Sequence, residues 1–521
     1  MTALSRKPTV LAEHHVASAD RPGRRSFMKL LIAMLLAASF MLATVPLNAT
    51  TYYVAKSGND SSNCTSASAP CLTIGRGVSV ATTPGSIVQV GAGTYTESIT
   101  MSNAGTASAL ITVRGQDGSG CPTTAISDVN SPTGTRPNSS VIIVGSFQVN
   151  ASYVAVDCFH LESNGNGGIG SNSGLIGNSY TNIEVDGNGC TSCGGGFYIA
   201  GVGSVSSSGY SSNFTISRNY VHGVSNGFYG ACSNCTFSDN EFYALQGDEP
   251  GSDHDYVDSW GVGTIYRHNY MHGNTSNSCD GYDCHMDCIQ TWNTTGDGTE
   301  VSKNVIVDRN VCFNHHEGVI VQDNAGNGDV SNWTVTNNVF AYPPWDDGSG
   351  HPSVAGSVQP WCWVFEDGKL GANVFYNNTC IDGAEGFRNN SGSASFKDNL
   401  FYSAGTDTSV YDTSSATVTG ANNLYYAVSA NFGGAQFTGD ITNKNPNFIS
   451  LGTSTTQCIG CNFNIQSTSA AKDAGVSTSP TVINDLLGTP RPQGAAYDIG
   501  AYEYAGTAKP GTPLNLGGTA H

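Results

Sequence analysis

From about residue 180 to 430 one short pattern returns along the chain. A few alternating apolar residues lead to a polar pair ending in Asn, and apolar or aromatic residues follow. The copies are FTISRNYVHG (Phe214 to Gly223), CTFSDNEFY (Cys235 to Tyr243), TIYRHNYMHG (Thr264 to Gly273), VIVDRNVCF (Val305 to Phe313), WTVTNNVFAY (Trp333 to Tyr342), VFYNNTCI (Val374 to Ile381), SFKDNLFY (Ser395 to Tyr402) and TVTGANNLYY (Thr417 to Tyr426). The aligned asparagines are Asn219, Asn240, Asn269, Asn310, Asn338, Asn378, Asn399 and Asn423, with separations of 21, 29, 41, 28, 40, 21 and 24 residues. Apolar alternation at period two predicts strands, and the Gly, Asn, Asp and Ser between the runs predict turns. No stretch beyond the first fifty residues reads as a helix. A strand-rich unit of roughly 20 to 30 residues predicts an all-β solenoid, a parallel β-helix in which each repeat is one coil. The recurring Asn suits a turn between two strands, where its side chain can satisfy backbone groups and stack as an inner ladder. A propeller blade needs about 40 to 45 residues and four strands, which makes it the second choice.

The N-terminus reads differently. Leu30 to Ala43 is an apolar run, preceded by Arg21, Arg24, Arg25 and Lys29 and followed by Leu47-Asn48-Ala49. The run is short for a membrane span and fits an export signal covering residues 1–49. Arg24-Arg25-Ser26-Phe27-Met28-Lys29 resembles a twin-arginine signal; an ordinary secretory signal and a retained anchor stay open. The chain is therefore expected to be secreted or held at the cell surface, and to be a monomer. Among 521 residues there are 21 Lys and Arg against 40 Asp and Glu, a balance that argues against a nucleic-acid partner. The 16 cysteines all follow the signal. Close pairs (Cys64/Cys71, Cys190/Cys193, Cys232/Cys235, Cys279/Cys284 and Cys458/Cys461) predict local disulfides in an exported protein. Zinc sites would need a regular spacing between the CxxC pairs, which is missing.

Two ends of the chain carry a resemblance. Thr51 to Ile99, TYYVAKSGNDSSNCTSASAPCLTIGRGVSVATTPGSIVQVGAGTYTESI, resembles the opening coils of secreted right-handed parallel β-helix proteins of the pectate-lyase-like superfamily. Gly58, Asn59, Asp60, Pro70, Thr73, Ile74, Gly85, Gly93, Thr94 and Tyr95 match, and Ser86 replaces the usual Asp. NPNF (Asn445 to Phe448), FNIQSTSAAKDAG (Phe463 to Gly475), DLLGTPRP (Asp485 to Pro492) and YDIGAYEY (Tyr497 to Tyr504) are similar to the choice-of-anchor segment that closes many bacterial surface β-helices. The resemblance implies a β-helix over residues 50–440 with N-terminal cap coils. It also implies a capping or anchor-like segment over 441–504 and a disordered tail over 505–521. It leaves activity open, because the superfamily holds lyases, hydrolases, epimerases and non-catalytic surface proteins.

Three coils carry insertions at one position: Gly247 to Asp255, Gly273 to Cys284 and Pro343 to Gln359. Insertions at one coil position emerge on one side of a solenoid, often its binding side. Titratable residues crowd the same stretch: Asp253, His254, Asp255, Asp258, His285, Asp287, His315, His316, Glu317 and Asp323. Aligning DCIQTW (Asp287 to Trp292) with EGVIVQ (Glu317 to Gln322) places Asp287 and Glu317 on adjacent strands, about 5 Å apart. Adjacent carboxylates repel and raise a pKa, and Ca²⁺, which favours clustered oxygen ligands, removes that cost. The expected metal ligands are Asp255, Asp258, Asp287 and Glu317. His285, Asp287 and Gln290 form an HxDxxQ run similar to one found in carbohydrate-active β-helices.

The leading expectation is a polysaccharide lyase cleaving a uronate-containing glycan by β-elimination. His285, His315 or His316 would be the base, with Asp287 and Glu317 in the catalytic group. Gln290, Trp292, Trp361, Arg267 and Arg309 would bind substrate, the arginines through its carboxylates. The alternatives are a glycoside hydrolase using paired carboxylates, an epimerase, and a non-catalytic glycan-binding surface protein.

Overall fold

The computed structural model describes residues 49–116, 121, 136–137, 139–163, 167–187, 195–245, 254–273, 286–313, 315, 317–341, 361–381, 385–402, 411–413, 416–428, 436–451 and 461–506. All belong to one compact unit that begins at Ala49. Three long sheets run through it, and every pairing in them is parallel among the described residues. The first sheet has 13 strands, from Thr51–Val54 to Thr417–Ala421. The second also has 13, from Gly93–Thr96 to Ile441–Thr442. The third has 14, its main path running from Ile99–Met101 to Tyr411–Asp412. One coil passes through all three in turn, as in Thr215–Ser217, Tyr220–His222 and Phe228–Ser233. The expected parallel β-helix is thus the observed fold, and no ring of four-stranded blades is formed.

The repeated Asn explains how the first sheet turns into the second. Its preceding residue takes a left-handed conformation in coil after coil: Arg218, Asp239, His268, Arg309, Asn337, Asn377, Asp398 and Asn422 have φ between 54° and 61°. That single residue bends the chain, at some cost for a non-glycine. The Asn that follows offsets the cost. Asn310 donates its backbone N–H and its Nδ2 to Asn338 Oδ1 at 2.8 and 3.0 Å, and Nδ2 also reaches Tyr266 O at 2.9 Å. The same contacts link Asn219 to Asn240, Asn240 to Asn269, and onward to Asn423. Asn423 ends the series on Asp440 Oδ1. All eight asparagines are buried, so the amide ladder satisfies polar groups that would otherwise be costly inside the solenoid.

The interior changes along the axis. Early coils are filled by aliphatic side chains such as Val88, Val113, Val156 and Val185. Later coils carry an aromatic stack, in which Trp363 lies 5.4 Å from Phe375 and 5.5 Å from Phe387. Disulfides Cys64–Cys71 and Cys232–Cys235 form as expected. Cys121–Cys158, Cys288–Cys312 and Cys362–Cys380 are different: they join residues 37, 24 and 18 apart and were not expected. Cys190, Cys193, Cys279, Cys284 and Cys458 lie outside the described residues.

Two end features correct or refine the sequence reading. Ile74–Val80 is an α-helix, α1, where no helix was expected. It is only seven residues long and contains Gly75 and Gly77, so its period is hard to see. Thr73 caps it, and Ile74, Gly77 and Val78 are buried at the first coils. At the other end, Ile441–Thr442 extends the second sheet. The described remainder of the C-terminal segment packs along the outer face of that sheet, with Phe448, Phe463, Leu486 and Tyr502 against Val311, Val339, Ile381 and Leu400. Arg491 locks it in place, fully buried with Glu503 at 3.0 Å and reaching Asn337 Oδ1 of the solenoid.

Candidate functional site

The third sheet begins in each coil at a bend, and the bend decides which way the acids point. Asp258 pairs in register with Gln290, and Ile289 with Val319. Counting back, Asn226, Asp255, Asp287 and Glu317 occupy one position in successive coils, and Glu317 pairs with Trp361 in the next. Strict alternation would put Asp287 on the same side as the core residue Ile289. Instead Cys288 and Ile289 both enter the core, so the chain turns between them and leaves Asp287 and Gln290 outside it.

The acids form a ladder of their own. Asp255 Oδ1 accepts the Asp287 N–H at 2.6 Å, and Asp287 Oδ1 accepts the Glu317 N–H at 2.7 Å. Asp258 joins from the strand that follows: Asn226 Nδ2 donates to its Oδ2 at 2.8 Å, and its side chain lies within hydrogen-bonding reach of Asp255. All four acids are buried, at 0% exposure for Asp255 and Asp287, 1% for Asp258 and 7% for Glu317. Burial, then the Asp258 and Asp287 carboxylates, push Asp255 well above the usual carboxylate range. Two ionised carboxylates do not stay in such contact unaided; a proton or a cation has to lie between them. The donor set, all carboxylate oxygen with the Gln290 amide beside it, fits a hard cation such as Ca²⁺.

The structure brings Asp255, Asp258, Asp287, Glu317 and Gln290 together, and Trp361 borders them. Trp292 lies on the flank, edge-on to Trp260 at 4.7 Å. Other expected members are elsewhere. Arg267 and Arg309 both pair with Asp308, at 2.9 and 3.0 Å, at the turn from the first sheet to the second. The strands of the second sheet follow that turn in each coil and precede the acids of the third. His315 is 2% exposed and faces inward, edge-on to Phe340 and beside the sulfurs of Cys288 and Cys312. Those three residues also have the spacing of a metal site, but the two cysteines are joined as a disulfide and offer no thiolate. His285, His316 and Asp253 lie outside the described residues. Trp260 and Trp363 are fully buried.

Sequence reasoning missed Asn226. Its signal was present, because SNGFYG aligns with HDYVDS once the strands are matched coil to coil. It also missed the buried state of the acids, which polar residues beside insertions do not announce.

No protein-family profile matches the chain, and no curated protein matches it. Among solved structures the chain is similar to XylC in complex with xylose, with a TM-score of 0.51 at 11% identity over 87% of this chain and 98% of that one. It is also similar to pectate lyase Pel9A, with a TM-score of 0.49 at 16% identity over 88% and 97%. A third is the GH136 lacto-N-biosidase from Eubacterium ramulus, with 0.43 at 11% over 80% and 70%. The protein is a right-handed parallel β-helix. At these identities the likeness concerns the fold; which residues act is a matter for the acid ladder itself.

Proposed function

We propose that the protein is an exported carbohydrate-active enzyme that cleaves a uronate-containing polysaccharide by β-elimination at the acid ladder. The observation that carries this reading is the buried group Asp255, Asp258, Asp287 and Glu317, whose close contact calls for a shared proton or a cation. Asp255, Asp258 and Asp287, with Glu317 at the edge, would hold Ca²⁺, which supplies the positive charge that draws a substrate carboxylate to an otherwise acidic protein. Asn226 keeps the Asp258 carboxylate turned toward Asp255. The Gln290 amide beside Asp258 offers donors to sugar oxygens. His285, two residues before Asp287, is assigned the proton abstraction. The disulfides support export into an oxidising compartment.

A second reading draws on one observation, the raised pKa of Asp255 beside Asp258. A carboxyl that keeps its proton can serve as the general acid of glycoside hydrolysis, with a more distant carboxylate of the ladder as its partner. One experiment separates the two. Purified protein is given uronate-containing and neutral polysaccharides, with Ca²⁺ or with chelator. Ca²⁺-dependent formation of ultraviolet-absorbing unsaturated uronate products is expected. New reducing ends without that absorbance would establish hydrolysis instead, and binding without any product would make this a glycan-binding surface protein.

A further inference from the structure

The outer face of the third sheet continues beyond the acids toward the N-terminus, and its residues there are of another kind. In register with Asp258 and one strand earlier stands Tyr229; one strand before that stands Tyr198, then Gly170, then Gln148. Tyr198 is 48% exposed, unusual for a large side chain in the middle of a sheet. Its ring runs parallel to that of Tyr229, with centroids 5.9 Å apart and planes 7° apart. Tyr229 in turn leans on Trp260 at 5.5 Å, which fixes the pair from below. On the other side of Tyr198 the strand offers Gly170. A side chain there would collide with the Gln148 amide, since a Cβ would sit 2.3 Å from Gln148 Oε1. Gln148 Nε2 donates to Asn150 Oδ1 at 3.0 Å and to Asn172 Oδ1 at 3.4 Å. Exposed aromatic surface and one side-chain amide thus lie on one row that leads into the acid ladder.

We propose that Tyr198, Tyr229 and Gln148 form a run of glycan-binding subsites on the N-terminal side of the acids. The row fits the occupant. Strands in a sheet are about 4.8 Å apart, close to the rise of one pyranose in an extended glycan, so a chain lying along the solenoid axis presents about one ring to each coil. Tyrosine rings give apolar contact to sugar C–H faces while amides take the hydroxyls. No described residue of this row between Gln148 and Tyr229 is charged, so these subsites recognise ring and hydroxyls rather than carboxylate. The protein therefore prefers chains of four or more sugars over short ones. This inference rests on the glycan reading of the acid ladder.

The test compares wild type with Tyr198→Ala, Tyr198→Phe and Gln148→Ala on disaccharides, hexasaccharides and polymer of the best substrate, measuring KM, kcat and direct binding. Tyr198→Ala is expected to raise KM for hexasaccharide and polymer about tenfold, a usual size for losing one ring contact. The disaccharide KM and all kcat values stay unchanged, and Tyr198→Phe keeps most of the long-chain affinity. Turnover that depends on Asp287 while Tyr198→Ala behaves as wild type on long chains would overturn the subsites and leave the acid site standing. Asp287→Asn with full turnover, but a long-chain defect in Tyr198→Ala, would keep the subsites and remove the acids from catalysis. Absence of binding to glycans of every length would overturn both.

Discussion

Two ladders climb this solenoid, and both use a side-chain oxygen to satisfy the backbone N–H of a neighbouring coil. In the amide ladder, Asn338 Oδ1 accepts from Asn310 of the preceding coil. In the acid ladder, Asp255 Oδ1 accepts from Asp287 of the following coil. The difference lies in what the other half of each side chain can do. An amide has a donor as well as an acceptor, so every Asn both gives and receives, and the ladder stays neutral however long it grows. A carboxylate has no donor unless protonated. Stacking carboxylates therefore accumulates charge inside the protein, and each added step calls for a proton or a cation. The first arrangement is a way to be stable; the second is a way to hold something.

Exchanging the two chemistries is the sharpest way to break this comparison. Asn310→Asp puts a carboxylate between Asn269 and Asn338 and deletes the donor to Tyr266 O. An unpaired buried charge should lower stability by about 3–5 kcal/mol, read as a fall in the denaturant midpoint. The reverse change, Asp287→Asn, makes the acid ladder less charged. Turnover should fall about a hundredfold or more, while the melting temperature holds or rises in the absence of Ca²⁺. Polar residues exposed at a surface would be expected to leave stability untouched; these acids are buried, so a rise is the more telling result. Asn310→Ala, which removes the amide without adding charge, should cost about 2 kcal/mol.

A smaller effect tests the amide ladder's own turn. Asp398 stands just before Asn399 and accepts the Val476 N–H of the C-terminal segment at 2.9 Å. Burial pushes its pKa up to about 7. Because this lies above the unfolded value near 3.8, the folded state holds the proton more tightly. The stabilisation is complete below about pH 4 and is lost as pH rises through about 7. Wild type should thus be less stable at pH 8 than at pH 5 by roughly 2 kcal/mol. Asp398→Asn should flatten that slope, as measured by urea unfolding at the two pH values.

How much of this was legible in the sequence follows from the same contrast. The amide ladder repeats eight times, and repetition is what a sequence shows best. The neighbouring of Asp287 and Glu317 came from matching strand to strand, and the register supports it. What failed was direction and depth. His315 lies two residues before Glu317 and packs edge-on to Phe340. Arg267 and Arg309 sit close in sequence to the acids yet serve Asp308 at another corner. Cys288–Cys312 and Cys362–Cys380 join residues that only winding brings together, so proximity along the chain gave them no partner. Tyr198 carries no repeat and no motif, and its exposure appears only once Gly170 is placed beside it.

The claim that the acid ladder holds a cation is tested most directly by melting wild type and Asp287→Asn at pH 8 in chelator and with added Ca²⁺. Binding to the folded state alone raises stability in proportion to occupancy, by about 2.7 kcal/mol at a hundredfold excess over Kd. The wild-type melting temperature should rise by several degrees with Ca²⁺, and that rise should vanish in Asp287→Asn. Identical melting of wild type in chelator and in saturating Ca²⁺, with turnover also unchanged, would contradict it and leave the four acids as a proton-sharing cluster.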